Sequence, residues 1–367
     1  MRRQRQRQRK RPYSQRRYLE KQSYLNLSEN ACLRRLRFQK EVIDEICQLI
    51  KADLQPSNTI RNALSIEVKV TAALAFYASG SFQASTGDIC HISQHAAHCC
   101  IRQLTEALYA RRMDFVSFPM PREAQTKRTL GFARNVDLPK VQGAIDCTHI
   151  ALKTRLKNAD VFRKRKGFHS LNVQLVVVHN QTIMTVNATF PGNIYDVHIL
   201  CESTIPDLFA NQPEGHGWML GDKRYGLSSW LMTHLHNPVT EAQKQYNESH
   251  IVTHNIVEKT IGVLKKRFRC LDHSGGSLQY HPDQVVEFIV VCCMLHNLVI
   301  KRGQVMPDRA ASPRPEGGET EEPAGEDVEE EGAEEDAGEY IAEGNQPGNL
   351  TPVPTPPPEE QWQLHGC

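Results

Sequence analysis

Four acidic residues stand where a carboxylate needs a reason. Asp146 interrupts the apolar positions Ala144, Ile145, Ile150 and Leu152 in the stretch GAIDCTHIALK. An unpaired carboxylate in a buried strand is costly, or its pKa rises until it takes up a proton. A hydrogen-bond donor, a cation or a metal must offset it. Asp196 opens YDVHILCEST, Asp222 closes GWMLGD, and Glu258 lies in SHIVTHNIVEKTIGVLKKRFRCL. Each acid has an ordinary explanation: Asp196 as a helix N-cap, Asp222 as an Asx turn, Glu258 as a solvated position at a helix border. Their joint order is more telling. A strand acid, a helix-opening acid, a strand-end acid and a helix Glu can gather at the carboxyl ends of neighbouring strands. Hard cations such as Mg²⁺ and Mn²⁺ prefer such oxygen ligands. Two of them about 4 Å apart can clamp the attacking and leaving oxygens of a phosphoryl displacement.

The elements that must carry these acids follow from periodicity and turn signals. VQGAIDCTHIALK is strand-like, and residues 169–180 and 181–190 are two β-rich runs joined by a His-Asn-Gln turn, hence a hairpin. Residues 195–204 read as a short helix, 217–222 as a strand and 228–235 (SSWLMTHL) as a short helix. Long helices are expected over 249–271 and 282–300. In the first of these, Val257, Ile261, Leu264 and Phe268 form the core stripe, and His254, Glu258 and Lys265 share a neighbouring face. The apolar run 285–300 contains Glu287, His296 and Asn297, which suits a buried helix better than a membrane span.

Upstream, residues 28–125 read as helical. A helix begins near Ile66, with Val70, Ala73, Leu74 and Tyr77 on one face and Gly80 as its stop. A short helix over 86–90, a turn over 91–93 and a helix capped by Ser93 fit helix-turn-helix. Its second helix would present Gln94, His95, His98 and Arg102 outward, as a DNA-recognition helix does. An ordinary helical hairpin is the alternative, and His91 stands where such turns usually hold Gly. The set His91, His95, His98 and Cys99 has metal-ligand spacing, but no second ligand cluster answers it.

Charge is segregated along the chain. All 44 Lys and Arg precede residue 316, with 26 of the 42 acids, so that stretch is basic by 18 charges; the other 16 acids follow Pro315. A body this basic points to a polyanionic partner, nucleic acid first. Nine Lys or Arg lie in the first 17 positions, and seven of the residues 153–166 are basic, among them Arg163, Lys164, Arg165 and Lys166. That loop leaves the strand of Asp146 and is suited to a DNA backbone, as is Lys265. The chain has 11 Cys and no CxxC, and no apolar segment follows the basic start. Reduced thiols in an intracellular protein are expected, in the nucleus and also the cytoplasm. From about residue 304 the composition is Pro, Gly, Glu and Ala, too polar to fold.

Six stretches now fall into a known order: GAIDCTHIALK, RKGFHSLNVQLV, FPGNIYDVHIL, MLGDKRYGLSSWLM, NIVEKTIGVLKKRFRCL and CCMLHN. They resemble the DDE domain of PIF/Harbinger transposases, most of all that of the vertebrate transposase-derived nucleases. The resemblance covers about residues 55–303, including the helix-turn-helix stretch. It implies an α/β fold: an RNase H-like DDE catalytic domain, a mixed sheet flanked by helices, preceded by an all-α helix-turn-helix region. The expected organisation is a basic disordered arm (1–22), a helical region (23–130), the DDE domain (135–303) and an acidic disordered tail (304–367). The resemblance further implies a divalent cation, Mg²⁺ or Mn²⁺, and a metal-dependent DNA endonuclease. Asp146 matches the first acid of the family and Glu258 the last; Asp196 and Asp222 compete for the middle. All four are expected to line the site, with Asp146, Asp222 and Glu258 as direct ligands and Asp196 a ligand or close behind. DNA and a separate Myb/SANT-like protein are the implied partners, with no membrane; homo-oligomerisation stays open. Cys147 replaces a Gly of the family motif and Lys223 a Ser, but no acid is lost. The alternative is a catalytically silent nuclear DNA-binding adaptor that keeps the fold.

Overall fold

The computed structural model describes residues 19–55, 63–119, 121–134, 138–153, 162, 168–210 and 217–304. The basic arm up to residue 18, the loop bases Arg163, Lys164, Arg165 and Lys166, and the acidic tail from residue 305 lie outside the described residues.

A helical region comes first: α1 (Glu29–Arg35), α2 (Lys40–Leu49), α3 (Lys51–Leu54), α4 (Ile66–Ser79), α5 (Gln83–Cys90), α6 (Gln94–Tyr109), α7 (Arg112–Phe115) and α8 (Arg122–Ala133). α4 begins where expected, its Ser65 side chain accepting from Val68 N–H, and stops at Gly80, which takes the left-handed conformation with φ 69°. It is buried nearly all round, not only along the expected stripe. α5 and α6 form the helix-turn-helix. His91 adopts φ 54° and so supplies the left-handed turn residue that Gly would supply, while Ser93 caps α6 by accepting from Ala96 N–H at 3.2 Å.

The sheet has five strands in the order β3-β2-β1-β4-β5: β1 (Val141–Ala151), β2 (Ser170–Val177), β3 (Ile183–Pro191), β4 (Trp218–Leu220) and β5 (Leu231–Met232). β1, β2 and β3 pair antiparallel, as the expected hairpin requires; β4 runs parallel to β1 and β5 parallel to β4. β2 is buried at every position, because helices cover both faces of the sheet's centre. Two short helices, α9 (Asp196–Cys201) and α10 (Ile205–Ala210), precede β4; the long helices α11 (Glu241–Arg267) and α12 (Pro282–Lys301) end the fold.

Two expectations need correction. Residues 228–235 are not helical: Leu231 and Met232 form β5, with Met219 N–H donating to Trp230 O at 2.7 Å and Gly221 N–H to Met232 O at 3.0 Å. A partner strand supplies hydrogen bonds that the local apolar pattern does not announce. α11 starts eight residues early, at Glu241, because Thr240 and Gln243 form a reciprocal capping box.

The hydrophobic core is continuous, running from Tyr24 and Phe38 through α4, α6 and the sheet to α12. α12 is long and apolar enough to cross a membrane, yet most of it is buried against α6, α7 and β3. Asn297 on α12 joins the layers: its Oδ1 accepts from Ile183 N–H at 2.8 Å, and its Nδ2 donates to Ile183 O at 2.7 Å and Phe115 O at 2.9 Å. Asn297→Ala would remove the side-chain partner of two buried backbone groups at Ile183 and of the part-buried Phe115 carbonyl. It should cost about 3 kcal/mol, read as a lowered denaturation midpoint with an unchanged denaturant slope.

Candidate active site

β1 and β4 are parallel neighbours, but their pairing ends at Ala144 and Leu220. Beyond that point β1 continues alone on this side. Leu152 N–H donates to His169 O towards β2, whereas Ala151 O accepts from Leu278 N–H on the opposite edge. Strand alternation puts the carbonyls of Ile145 and His149 on that same edge. A crevice of this kind, outside the carboxyl ends of parallel strands, is where open α/β sheets place their ligands.

Asp146 lies at this opening. Its Oδ1 accepts from Cys147 N–H at 2.7 Å. Its carboxyl is pushed up to about 6, foremost by burial and further by the carboxylates of Asp222 and Glu258, against that hydrogen bond and His254. Asp146 is therefore within electrostatic reach of both Asp222 and Glu258. Asp222 follows β4. Its Oδ1 accepts from Arg224 N–H at 2.8 Å, the Asx turn foreseen as its ordinary role, and its Oδ2 meets Arg224 Nε at 3.3 Å. Gly221 has no space for a side chain, since a Cβ there would lie 2.9 Å from the Tyr225 ring. Glu258 projects from α11 with its side chain 63 % exposed, and its Oε1 lies 3.8 Å from Nδ1 of buried His254.

Asp196 opens α9 and is buried. Its Oδ1 accepts from Asn172 Nδ2 at 2.7 Å and its Oδ2 meets the Arg224 guanidinium at 3.0 Å. Asn172 pairs with His149 and Gln174 with Cys147, so these side chains share one face of the sheet, and Asp146 points to the other. Arg224 thus bridges Asp196 and Asp222, and the Asp196 hydrogen bond foremost raises its own pKa. The neighbouring Cys147 Sγ lies 3.2 Å from Tyr225 Oη, and burial pushes both groups well up.

The remaining expected residues divide. Gln94, His95 and Arg102 are exposed on α6, Arg102 lying 3.7 Å from Glu106. His98 is not outward: it is half-buried and its Nδ1 is 3.0 Å from Gln83 Nε2. His91 Nδ1 meets Glu20 O at 2.8 Å, and His95 Nε2 is 3.6 Å from Cys99 Sγ. Lys265 donates from Nζ to His149 O at 3.0 Å, so its charge is anchored to β1. His149 Nδ1 is 3.1 Å from Ser170 Oγ, a local hydrogen bond on the face away from Asp146. Sequence reasoning missed Arg224 and Asn172. A signal existed for the second: Asn172 and Gln174 are polar residues at alternate positions of an otherwise apolar run.

Among the described residues, no three His, Cys, Asp or Glu side chains converge into a group that could hold a metal ion. The donor chemistry nevertheless fits a hard cation. Asp146, Asp222 and Glu258 supply oxygen only, and the burden that the other two carboxylates place on Asp146 is what a divalent charge relieves.

A pH test follows. The folded protein holds the Asp146 proton more tightly than the unfolded chain does, so this residue destabilises the cation-free protein increasingly as pH rises from about 4 to about 6. Asp146→Asn in chelator should melt higher than the unsubstituted protein at pH 7.5, by on the order of 2–3 kcal/mol. The difference should vanish near pH 4.

Comparison with known proteins gives the site a lineage. A family model described as DDE superfamily endonuclease matches residues 145–297, a span that contains all four acids. The human protein named Putative nuclease HARBI1 is 38% identical over 266 residues, 72% of this chain and 76% of its own. Its mouse counterpart is 37% identical over 290 residues, 79% of this chain and 82% of its own. The Arabidopsis thaliana protein named Protein ALP1-like is 25% identical over 301 residues, 75% of this chain and 72% of its own. No solved structure matches. The chain therefore belongs to the Harbinger transposase-derived nuclease family, built on a DDE superfamily endonuclease domain.

Proposed function

We propose that this protein is a metal-dependent endonuclease that hydrolyses DNA phosphodiester bonds, with Asp146, Asp222 and Glu258 holding Mg²⁺ or Mn²⁺. The observation that carries the proposal is the placement of the three carboxylates: Asp146 on β1, Asp222 just past the end of neighbouring β4, and Glu258 on α11, which is hydrogen-bonded to β1 beside Asp146, so that Asp146 feels both of the others. The strand order β3-β2-β1-β4-β5, three antiparallel strands followed by two parallel ones, supports an RNase H-like arrangement. When bound, a divalent ion polarises the phosphoryl oxygens and makes water more acidic.

The chain's own residues do the rest. Asp146 and Asp222 anchor the site from two adjacent strands, and exposed Glu258 closes it from α11 on the solvent side. Asp196 joins through Arg224, whose guanidinium spans Asp196 and Asp222. Lys153, the last described residue before the basic loop, is exposed, and its N–H donates to Leu278 O at 2.8 Å. Arg163, Lys164, Arg165 and Lys166 in that loop, with Gln94, His95 and Arg102 on α6, are the DNA contacts of this proposal. A nuclear and also cytoplasmic location and a Myb/SANT-like partner belong to it as consequences of the family.

One observation favours a rival: Arg224 already pairs with both Asp196 and Asp222 and offsets part of their charge, as it would in a silent adaptor. Duplex cleavage decides between them. The unsubstituted protein, with its Myb/SANT-like partner present or absent, should nick DNA only when Mg²⁺ or Mn²⁺ is added. Asp146→Ala and Glu258→Ala should fall to the background rate while keeping a cooperative melt. Absence of both Mn²⁺ uptake by calorimetry and cleavage, with DNA binding intact, would establish the adaptor.

A further inference from the structure

Glu258 stands on a helix, and a helix can slide or roll against a sheet unless something sets its register. One face of α11 carries a series of polar contacts to backbone carbonyls that does this. At its start, Tyr246 Oη donates to Thr233 O at 2.9 Å, and Asn247 pairs with both backbone groups of Leu235, at 2.9 and 3.0 Å. One turn on, His250 Nε2 lies 3.2 Å from Met232 O of β5. A further turn on, His254 Nε2 lies 3.1 Å from Ile145 O of β1, the residue before Asp146. Past Glu258, Lys265 reaches His149 O.

These acceptors lie on both sides of β4. In the order β1-β4-β5, His250 grips the outer strand and His254 the inner one, and Asp222 leaves the strand between them. The Ile145 carbonyl is on the edge of β1 that β4 has abandoned, so His254 satisfies a backbone group the sheet leaves open. Spacing agrees along the helix. From His254 to Lys265 an α-helix rises about 16 Å, and from Ile145 to His149 a strand advances about 13 Å, a difference within side-chain reach.

The two imidazoles also lock each other. They stack with centroids 5.7 Å apart and planes 10° from parallel, and the Tyr246 ring packs on His250 at 5.9 Å. A carbonyl only accepts, so each Nε2 carries the proton and donates. Nδ1 of His254 lies on the Glu258 side, 3.8 Å from Oε1. Both histidines are buried.

We propose that His250 and His254 are positioning residues that set the register of α11 against β5 and β1, and so deliver Glu258 to Asp146 and Asp222. The role rests on the assignment of those three acids as the cation-holding set. In it, His254 acts through Glu258 and through the Ile145–Asp146 backbone and touches neither substrate nor cation. His250 braces it from β5.

The test uses the full chain and Mn²⁺ alone as probe, then duplex DNA. His254→Ala should weaken Mn²⁺ affinity about ten- to a hundredfold, as loss of a residue that orients a ligand does. It should lower kcat for cleavage and leave KM for DNA unchanged. His254→Gln, whose amide can still donate to Ile145 O, should recover most of both. His250→Ala should show the same pattern more weakly. Side-chain ¹H–¹⁵N spectra of the unsubstituted protein should show both rings protonated at Nε2. A ring without a proton on Nε2 at either position would overturn the proposal. So would a His254→Ala protein matching the original in Mn²⁺ affinity and kcat, or a Gln variant no better than Ala. Should Ala unfold the chain, the Gln variant and the spectra still decide. If the unsubstituted protein takes up no Mn²⁺, the cation assignment fails separately, and the spectra alone then judge the histidine bonds.

Discussion

Asp146 is a half-buried carboxylate on the central strand, its pKa raised foremost by burial and then by two further carboxylates. Nearby groups answer that cost. Cys147 N–H donates to one oxygen, buried His254 opposes the rise, and Arg224 gathers Asp196 and Asp222 around its own charge. Such an arrangement is unfavourable for stability alone, since apolar side chains would fill the strand more cheaply. It makes sense where a charge is to arrive from outside.

The supporting fold is organised around the same opening. β4 pairs with β1 for a few residues and then parts from it. The edge it leaves is taken over by α11 and by the segment at Leu278, which meet the carbonyls of Ile145, His149 and Ala151. α12 ties β3 to α7 through Asn297, and the aromatic set Phe76, Tyr77, Tyr280 and Phe288 joins α4 to α12. The helix-turn-helix and the sheet therefore rest on one continuous core.

Much of this was legible in the residues. The hairpin of β2 and β3 follows from two β-rich runs around a polar turn, and α4 from Ser65, its periodicity and Gly80. The helix-turn-helix was legible despite His91, because a non-Gly residue can take the left-handed conformation at a small cost. β5 was not, since two residues hold a strand only by pairing with β4. The early start of α11 is written in Thr240 and Gln243, whose capping box lies outside the apolar period. Among site residues, the acids stood out because carboxylates at strand ends are conspicuous. Arg224 and Asn172 did not, because exposed arginines and strand asparagines are common, and only their partners give them meaning.

By itself the sequence determined which acids exist, their order along strand, helix, strand and helix, and the charge that surrounds them. Periodicity and turn chemistry are local properties, and they place each acid on its element. The tertiary structure alone decided which acids meet. Asp146 feels both Asp222 and Glu258, while Asp196 is linked to Asp222 through Arg224 from the other face of the sheet. Those meetings depend on where β4 parts from β1 and on carbonyls that only α11 reaches, and both arise from long-range backbone pairing rather than from any local run of residues.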